Sequence, residues 1–211
     1  MSKLKIFFES VVAGIFIGIA GTVFLSVENK VTGAFLFSLG LLAILCFQLK
    51  LFTGAVGYLV TQKNVFQYLF ELIVIWVGNF IGTWIVGNLV RFSRISEHIS
   101  VKALDLCCVK MTDSILSLLI LSFFCGILMF SAVESFKRKD LPDSARVFMV
   151  FLCVSVFILC GFEHCIANMY YFSVCDGIEI ESFLRICLMT LGNSLGGTIV
   201  PLISKAKPIG E

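Results

Sequence analysis

The sequence predicts an all-α membrane protein with six transmembrane helices in two inverted three-helix repeats, the second and fifth helices being broken. Three observations carry this prediction: the composition, the lengths of the apolar segments and one repeated motif. Of the 211 residues, 59% are hydrophobic and only 14% are charged, too few to cover a soluble globule. Lys and Arg number 16 against 14 Asp and Glu, a balance that gives nucleic-acid binding no support. We therefore expect neither a soluble enzyme nor a nucleic-acid partner.

Four apolar segments have the ordinary length of a membrane-spanning helix. Such a helix needs about 20 apolar residues to cross a hydrocarbon core of about 30 Å. The segments are residues 6–27, 66–90, 114–135 and 184–204. The first is long enough to span and no small-residue cleavage site follows it, so we expect it to be retained and not removed as a signal peptide.

Two further apolar segments, residues 31–62 and 147–175, are too long for a single crossing. As straight helices they would measure about 48 Å and about 44 Å at about 1.5 Å per residue. Each is interrupted halfway by polar residues and glycine, the first around Lys50 and Thr53 and the second around His164. Non-helical backbone is tolerated at membrane depth where it lines a cavity. We therefore expect each segment to be two short helices separated by a break.

A short motif occurs once in each half of the chain. Residues 78–86 read GNFIGTWIV and residues 192–200 read GNSLGGTIV, in the third and sixth spans. Each half is then a whole span, a broken span and a GN-containing span, and because three is odd the second half lies upside down relative to the first. In this plan the binding site lies at the midplane between the broken helices. Both termini lie on one side, which the distribution of Lys and Arg assigns to the cytoplasm.

The break in the fifth span carries two adjacent ionisable residues, Glu163 and His164. Ionisable side chains inside a membrane are costly and mark functional sites. Neighbouring helix positions point about 100° apart, so we expect His164 to meet the permeant species. Glu163 is expected to cap backbone donors or to pair across a subunit contact. The alternative is that His164 is a structural residue bonded into a polar break.

The break in the second span supplies the matching element. Thr53, followed by glycine and a new apolar run, is a plausible helix start whose hydroxyl would cap free backbone amides. The positive ends of two short helices would then converge on the same region, which favours anions. Lys50 strengthens that field if it faces the pore; a subunit interface or a lipid headgroup is the alternative position for its side chain.

The nine cysteines do not form a disulfide framework in this interpretation. Most lie inside apolar runs, where a thiol behaves as a small hydrophobe. We expect them to be reduced, with Cys107, Cys108 and Cys175 the ones near water. His98 is expected in a polar loop, and one further histidine with scattered thiols lacks the ligand spacing of a metal site. No metal and no cofactor are expected.

Several motifs together resemble the formate/nitrite transporter family. They are GFEHCIANM at residues 161–169, LFTG at 51–54, FSLGL at 37–41 and the two GNxxG elements. The resemblance covers essentially the whole chain in order. It implies an aquaporin-like protomer, residues 1–211 forming one channel domain, in a homopentamer with a pore in each protomer. It also implies passage of small monovalent anions or their acids across the cytoplasmic membrane.

The resemblance also assigns residues of the pore. His164 matches the central histidine of the family, and Thr53 matches the threonine of the loop that breaks the second helix. On one side of this histidine the family has an apolar constriction, whose positions correspond to Leu41, Leu51 and Phe157. The constriction on the other side is matched by Phe37 and Phe52. Lys110 matches a lysine that makes the outer approach electropositive, and Asn168 matches the asparagine that follows the Glu-His pair.

The chain departs from the family pattern at two places. Many members carry an asparagine after a cysteine in the fourth span, whereas Gly126 follows Cys125 here, so we expect a hydrogen bond near the pore to be absent. The long amphipathic helix that some members place before the first span has no counterpart in residues 1–5, so a gating role for it is not transferred.

Two rival functions and the choice of anion stay open. A neutral-solute pore of the aquaporin type normally shows Asn-Pro-Ala at both breaks, and neither break contains proline. An intramembrane enzyme would pair Cys165 or Cys160 with His164 as thiol and base, although residues next to each other on a helix do not face one another. Formate, nitrite and hydrosulfide are the candidate anions. Cys165 and the narrow Phe and Leu set favour a small one such as hydrosulfide.

Overall fold

The computed structural model describes residues 2–175 and 178–205, and these contain helices and no strands. Met1, residues 176–177 and residues 206–211, which the predicted single domain includes, lie outside the described residues. The helices are α1 (Lys3–Ser26), α2 (Lys30–Cys46), α3 (Phe52–Ala55), α4 (Val65–Arg91), α5 (Ser96–Thr112), α6 (Ile115–Lys137), α7 (Asp143–Leu159), α8 (Cys165–Val174) and α9 (Ile180–Lys205). A short 3₁₀ helix, Val56–Thr61, continues α3.

Four of the described helices, α1, α4, α6 and α9, are long and apolar enough to cross a membrane. The shortest of them has 23 residues, which is about 35 Å of helix. Large apolar side chains such as Phe8, Phe66 and Leu89 are exposed on the outside of the bundle. Contiguous apolar surface of this kind is unfavourable in water and suits a lipid environment. The fold is therefore that of a helical membrane protein.

Glycines bring the long helices together in two close pairs, α1 with α4 and α6 with α9. A side chain at Gly82 would collide with the backbone of α1 at Val11, and one at Gly196 would collide with the backbone of α6 at Phe123. Small residues at such positions let helix backbones touch, which is the main way that membrane helices pack. The two pairs frame the region where the short helices meet.

The two overlong segments are divided into separate helices. α2 ends at Cys46 and α3 begins at Phe52, while α7 ends at Leu159 and α8 begins at Cys165. Each first helix closes with a residue at positive φ, Gln48 at 55° and Gly161 at 70°. The amide after each of these residues donates back into its helix, with N···O distances of 2.9 Å and 2.8 Å. The breaks are thus specific turns and not frayed ends.

α5 is a helix that was not predicted from the sequence. The prediction that His98 lies in a polar loop is wrong, because Ser96–Thr112 is helical and His98 is an exposed residue in its first turn. Arg185 of α9 fixes the far end of α5 by donating from Nη1 to the carbonyls of Lys110 and Asp113, both at 2.8 Å. The α5 segment mixes charged and apolar residues, so it has no long apolar run to mark it as a helix.

Candidate functional site

Asn79 of α4 holds the first break in place. Its Oδ1 accepts the amide hydrogen of Phe52 at 2.9 Å, where α3 begins. Its Nδ2 donates to the carbonyls of Ser10 at 2.8 Å and Lys50 at 2.9 Å. Asn79 is fully buried, and unpaired backbone groups are costly at such depth. One side chain therefore satisfies three groups and joins the break to α1.

Asn193 of α9 makes the same three bonds at the second break. Its Oδ1 accepts from the amide of Cys165 at 2.9 Å, where α8 begins. Its Nδ2 donates to the carbonyls of Ser122 at 2.7 Å and Glu163 at 2.8 Å. The repeated GN motif is visible in the sequence, but this role of its asparagine was not predicted. A polar side chain shared by both copies within apolar spans is the signal that could have revealed it.

The two breaks meet at a contact between Thr53 and His164. Thr53 Oγ1 lies 3.0 Å from His164 Nε2, and both residues are buried. His164 is the N-cap of α8, and its Nδ1 accepts the amide hydrogen of Ala167 at 3.1 Å. With Nδ1 an acceptor, the neutral ring carries its hydrogen on Nε2 and donates it to Thr53.

The expectation that Thr53 caps the helix of the first break is wrong. Leu51 is the N-cap of α3, and no side chain caps that end. Thr53 lies inside the first turn, with its hydroxyl directed to the histidine. At this end of α3 the amide of Phe52 is bonded to Asn79, and the Thr53 hydroxyl contacts His164.

Five apolar side chains are assigned by resemblance to the constrictions on either side of the histidine. All are buried: Phe37, Leu41, Leu51, Phe52 and Phe157. The ring of Phe157 lies 5.6 Å from the His164 ring, centroid to centroid, and meets the Phe37 ring edge to face at 5.8 Å. Phe37 and Phe157 were assigned to constrictions on opposite sides of the histidine. They are in direct contact with each other.

A cavity of about 700 Å³ approaches the break from one side of the protein. Leu41 and Leu51 line it together with Lys50. Its remaining charged lining residues are three cations and one anion, Lys137, Lys139, Arg146 and Glu71. Lys50 thus lines a cavity that ends against apolar residues. The excess of positive charge makes the cavity attractive to anions.

Glu163 points away from the histidine contact into a buried ion pair. Both of its carboxylate oxygens accept from Lys110 Nζ at 2.9 Å, and Oε2 also accepts from Asn168 Nδ2 at 2.7 Å. Neither expected role of Glu163 is what its side chain does here, because the partner is a lysine of α5 in the same chain. Lys110 is buried and its charge is balanced, so it does not make an open approach electropositive. A buried charge needs such a partner.

Gly126, the departure from the family pattern, has a packing role. A side chain at this position would collide with the backbone carbonyl of Asn193. The asparagine that many members carry after the cysteine has no room here unless α6 and α9 separate. The close contact of α6 with α9 therefore accounts for glycine at this position.

The cysteines are distributed differently from the expectation. Cys108 is exposed and Cys175 is half-exposed, but Cys107 is buried against Cys175, with its Sγ 3.5 Å from the Cys175 Sγ. Cys46, Cys160 and Cys187 are exposed, and Cys46 lines the cavity that also contains Lys50. Within residues 2–175 and 178–205, no group of three or more potential metal ligands occurs.

These features define a class: a helical membrane protein in which a cation-lined cavity ends at apolar residues beside a buried histidine. The family model described as formate/nitrite transporter matches residues 1–205. The chain belongs to the formate/nitrite transporter family, and the fold and family together make it an anion channel of the membrane.

Curated relatives and solved structures agree with this assignment. The chain is 26% identical over 204 residues to the formate channel FocA of Haemophilus influenzae, covering 81% of this chain and 71% of that protein. It is 28% identical over 229 residues to the formate-nitrite transporter of Plasmodium malariae, covering 91% and 72%.

Two solved structures are similar in fold. One is described as a pentameric formate channel with formate bound, with a TM-score of 0.84, 24% identity and 96% of each chain covered. The other is described as an FNT family ion channel, with a TM-score of 0.82, 21% identity and 97% and 91% covered. The likeness extends over nearly the whole of both chains, so the helical arrangement is the channel fold.

Proposed function

We propose that this protein is a channel for small monovalent anions or their conjugate acids, with His164 and Thr53 at the pore centre. The observation that carries the proposal is the Thr53–His164 contact, which joins the two broken segments at 3.0 Å beside the ring of Phe157. A polar pair set among apolar side chains is a site where a small solute exchanges water for protein hydrogen bonds.

The charged cavity and the apolar residues have complementary roles. The cations that line the cavity, Lys50 among them, attract an anion from solution. Stripping water from a charge without replacing it costs far more than thermal energy, so the constrictions oppose the anion. They are formed by Leu41, Leu51 and Phe157 and by Phe37 and Phe52. The neutral acid crosses them much more easily, so the anion is protonated before or at His164.

The proton comes from water and not from the histidine in this proposal. His164 Nδ1 is engaged by the amide of Ala167, and a hydrogen on Nδ1 would break that helix cap. The ring is therefore best suited to remain neutral and to donate a hydrogen bond from Nε2. The sequence left this question open between the two sources, and the cap favours water.

The assembly we propose is a homopentamer of six-span protomers built from two inverted repeats. The matching bonds of Asn79 and Asn193 support the repeat, since each joins its own break to the helix that starts its half. The pentameric structure with a similar fold supports the oligomer. The protein lies in the cytoplasmic membrane with both termini on the cytoplasmic side.

The buried cluster of Lys110, Glu163 and Asn168 stabilises the second break.

Formate is the first substrate to test, because the relatives and one of the similar structures are named for it. Hydrosulfide and nitrite are the other candidates, and the narrow apolar set keeps hydrosulfide among them. Parallel swelling assays in proteoliposomes with formate, nitrite, hydrosulfide and acetate rank the four. Flux of all four no faster than in protein-free liposomes would reject the channel.

The two rival functions receive less support from the geometry. Both ring nitrogens of His164 are engaged by Thr53 and Ala167, so neither is directed to a cysteine thiol as a base would be. A neutral-solute pore has no use for a cavity with four cations and one anion in its lining. Water or glycerol flux that exceeds formate flux would favour it.

The substitution His164→Asn tests the source of the proton. An asparagine is a good N-cap, so its oxygen replaces Nδ1 at Ala167 and α8 is preserved while the titratable group is removed. We expect formate flux to keep rising as the pH falls, because the acid form becomes more abundant. The matched control is His98→Asn at the other histidine. Loss of the pH dependence in His164→Asn alone would assign the proton to the histidine.

A further inference from the structure

Two cysteines, Cys107 and Cys175, lie at one end of the protein. The cavity of about 700 Å³ that is lined by Lys50, here called the cationic cavity, lies at the opposite end. Tyr68 near the start of α4 lines the cationic cavity, whereas Arg91 at the end of α4 lines a second cavity of about 410 Å³ together with Cys175. These two positions are separated by most of a 27-residue helix, about 40 Å long. Cys175 is half-exposed and lines this second cavity.

The partner of Cys175 comes from a different helix. Cys107 belongs to α5, and its Sγ lies 3.5 Å from the Cys175 Sγ across 68 residues of sequence. A disulfide requires about 2.05 Å between the sulfurs, so closure needs an approach of about 1.5 Å. Cys108, the next residue on α5, is exposed and does not face the same way, because adjacent helix positions diverge.

We propose that Cys107 and Cys175 form a reversible disulfide when the protein meets a low-molecular-weight disulfide, RSSR. The Cys175 thiolate attacks RSSR through the open cavity, giving a Cys175–SR mixed disulfide and one RSH. Cys107 then attacks the Cys175 sulfur and expels the second RSH. The net reaction converts two protein thiols and RSSR into one protein disulfide and two RSH, so electrons and protons balance.

The position of the pair gives the disulfide a structural consequence. α5 carries Lys110 one turn after Cys107, and Cys175 directly follows α8, the helix that begins two residues after Glu163, so the bond ties α8 to the helix that carries the partner of Glu163. A covalent link between distant segments restricts the unfolded chain. The oxidised protein is therefore more resistant to thermal unfolding than the reduced one.

The test treats the purified 211-residue chain in detergent with oxidised glutathione, then denatures it and locates the alkylated thiols by mass spectrometry. We expect the thiols of Cys107 and Cys175 to be lost together in the wild type and recovered with dithiothreitol, with Cys107 linked to Cys175 by peptide mapping and any glutathione adducts confined to other cysteines. Cys108→Ser should form the same link. Cys107→Ser should stop at a glutathione adduct on Cys175, and Cys175→Ser should lose none at Cys107.

The proposal is overturned if Cys107 and Cys175 both remain alkylatable in the oxidised wild type, or if the mapped bond joins Cys108 or two separate chains. Peptide mapping of the wild type decides the matter even where a serine variant does not fold. Melting supplies a second measurement. Oxidation should raise the melting temperature of the wild type and of Cys108→Ser by several degrees and leave Cys107→Ser unchanged.

Discussion

Removing the Asn79 side chain should destabilise the protein through the first break. Asn79→Ala deletes three buried hydrogen bonds, to the backbones of Ser10, Lys50 and Phe52. Each is worth about 1 kcal/mol net, and more where the remaining group stays buried without a partner. The loss is therefore about 3 kcal/mol or more. At about 2 to 4 °C per kcal/mol for a chain of this size, the melting temperature falls by about 6 to 12 °C.

Thermal unfolding in detergent, followed by tryptophan fluorescence, measures this loss. Both tryptophans of the chain, Trp76 and Trp84, lie in α4 with Asn79, so the signal reports the helix that carries the substitution. The matched control is Asn88→Ala on the same helix, which removes one bond to a carbonyl within α4. A melting temperature for Asn79→Ala within about 2 °C of that control would refute the reasoning.

The equivalent substitution in the other half extends the same test. Asn193→Ala deletes three bonds of matching length at the second break. If the two halves are repeats of one structural unit, the two variants should lose similar amounts of stability. A fall for Asn193→Ala less than half of that for Asn79→Ala would contradict the equivalence.

The other predictions concern packing and the buried ion pair. Gly82→Ala places a methyl group against the backbone of α1 at Val11, so α1 and α4 separate at a cost of about 1 to 3 kcal/mol; the same melting assay detects it. Gly161→Ala meets open space, so its cost is only the backbone strain of an alanine at φ 70°. This cost should be smaller than that of Gly82→Ala. Lys110→Met leaves Glu163 buried without its cation and should cost about 3 to 5 kcal/mol. Adding Glu163→Gln should restore much of that stability, and a double variant as unstable as the single would reject the pairing.

Much of the architecture follows from the sequence because its cause is local. A continuous apolar run of about 20 residues forms a membrane-spanning helix whatever its neighbours are. The polar residues around Lys50 and His164 interrupt runs that are too long to cross once, and the helices end within a few residues of them. α5 could not be predicted in this way, since its residues form no apolar run and its position depends on contacts with α8 and α9.

The roles of several site residues could not be predicted, because they depend on partners distant in sequence. Thr53 was expected to cap its own helix, yet its hydroxyl contacts His164, 111 residues away. Lys110 was expected to leave an open positive charge, yet it pairs with Glu163 across 53 residues. Sequence spacing gives the position of a side chain along its helix. The direction in which that side chain finds a partner depends on how the helices pack.

The sequence by itself determined that this chain belongs in a membrane, where its long helices are interrupted, and which family it resembles, since composition, run length and motifs are properties of the chain. The tertiary structure decided which groups meet. It placed Asn79 and Asn193 at the two breaks, His164 against Thr53, and Cys107 against Cys175. The physical reason is burial. In a region without water, each polar group must find a protein partner, and only the packing of distant helices determines which one is within reach.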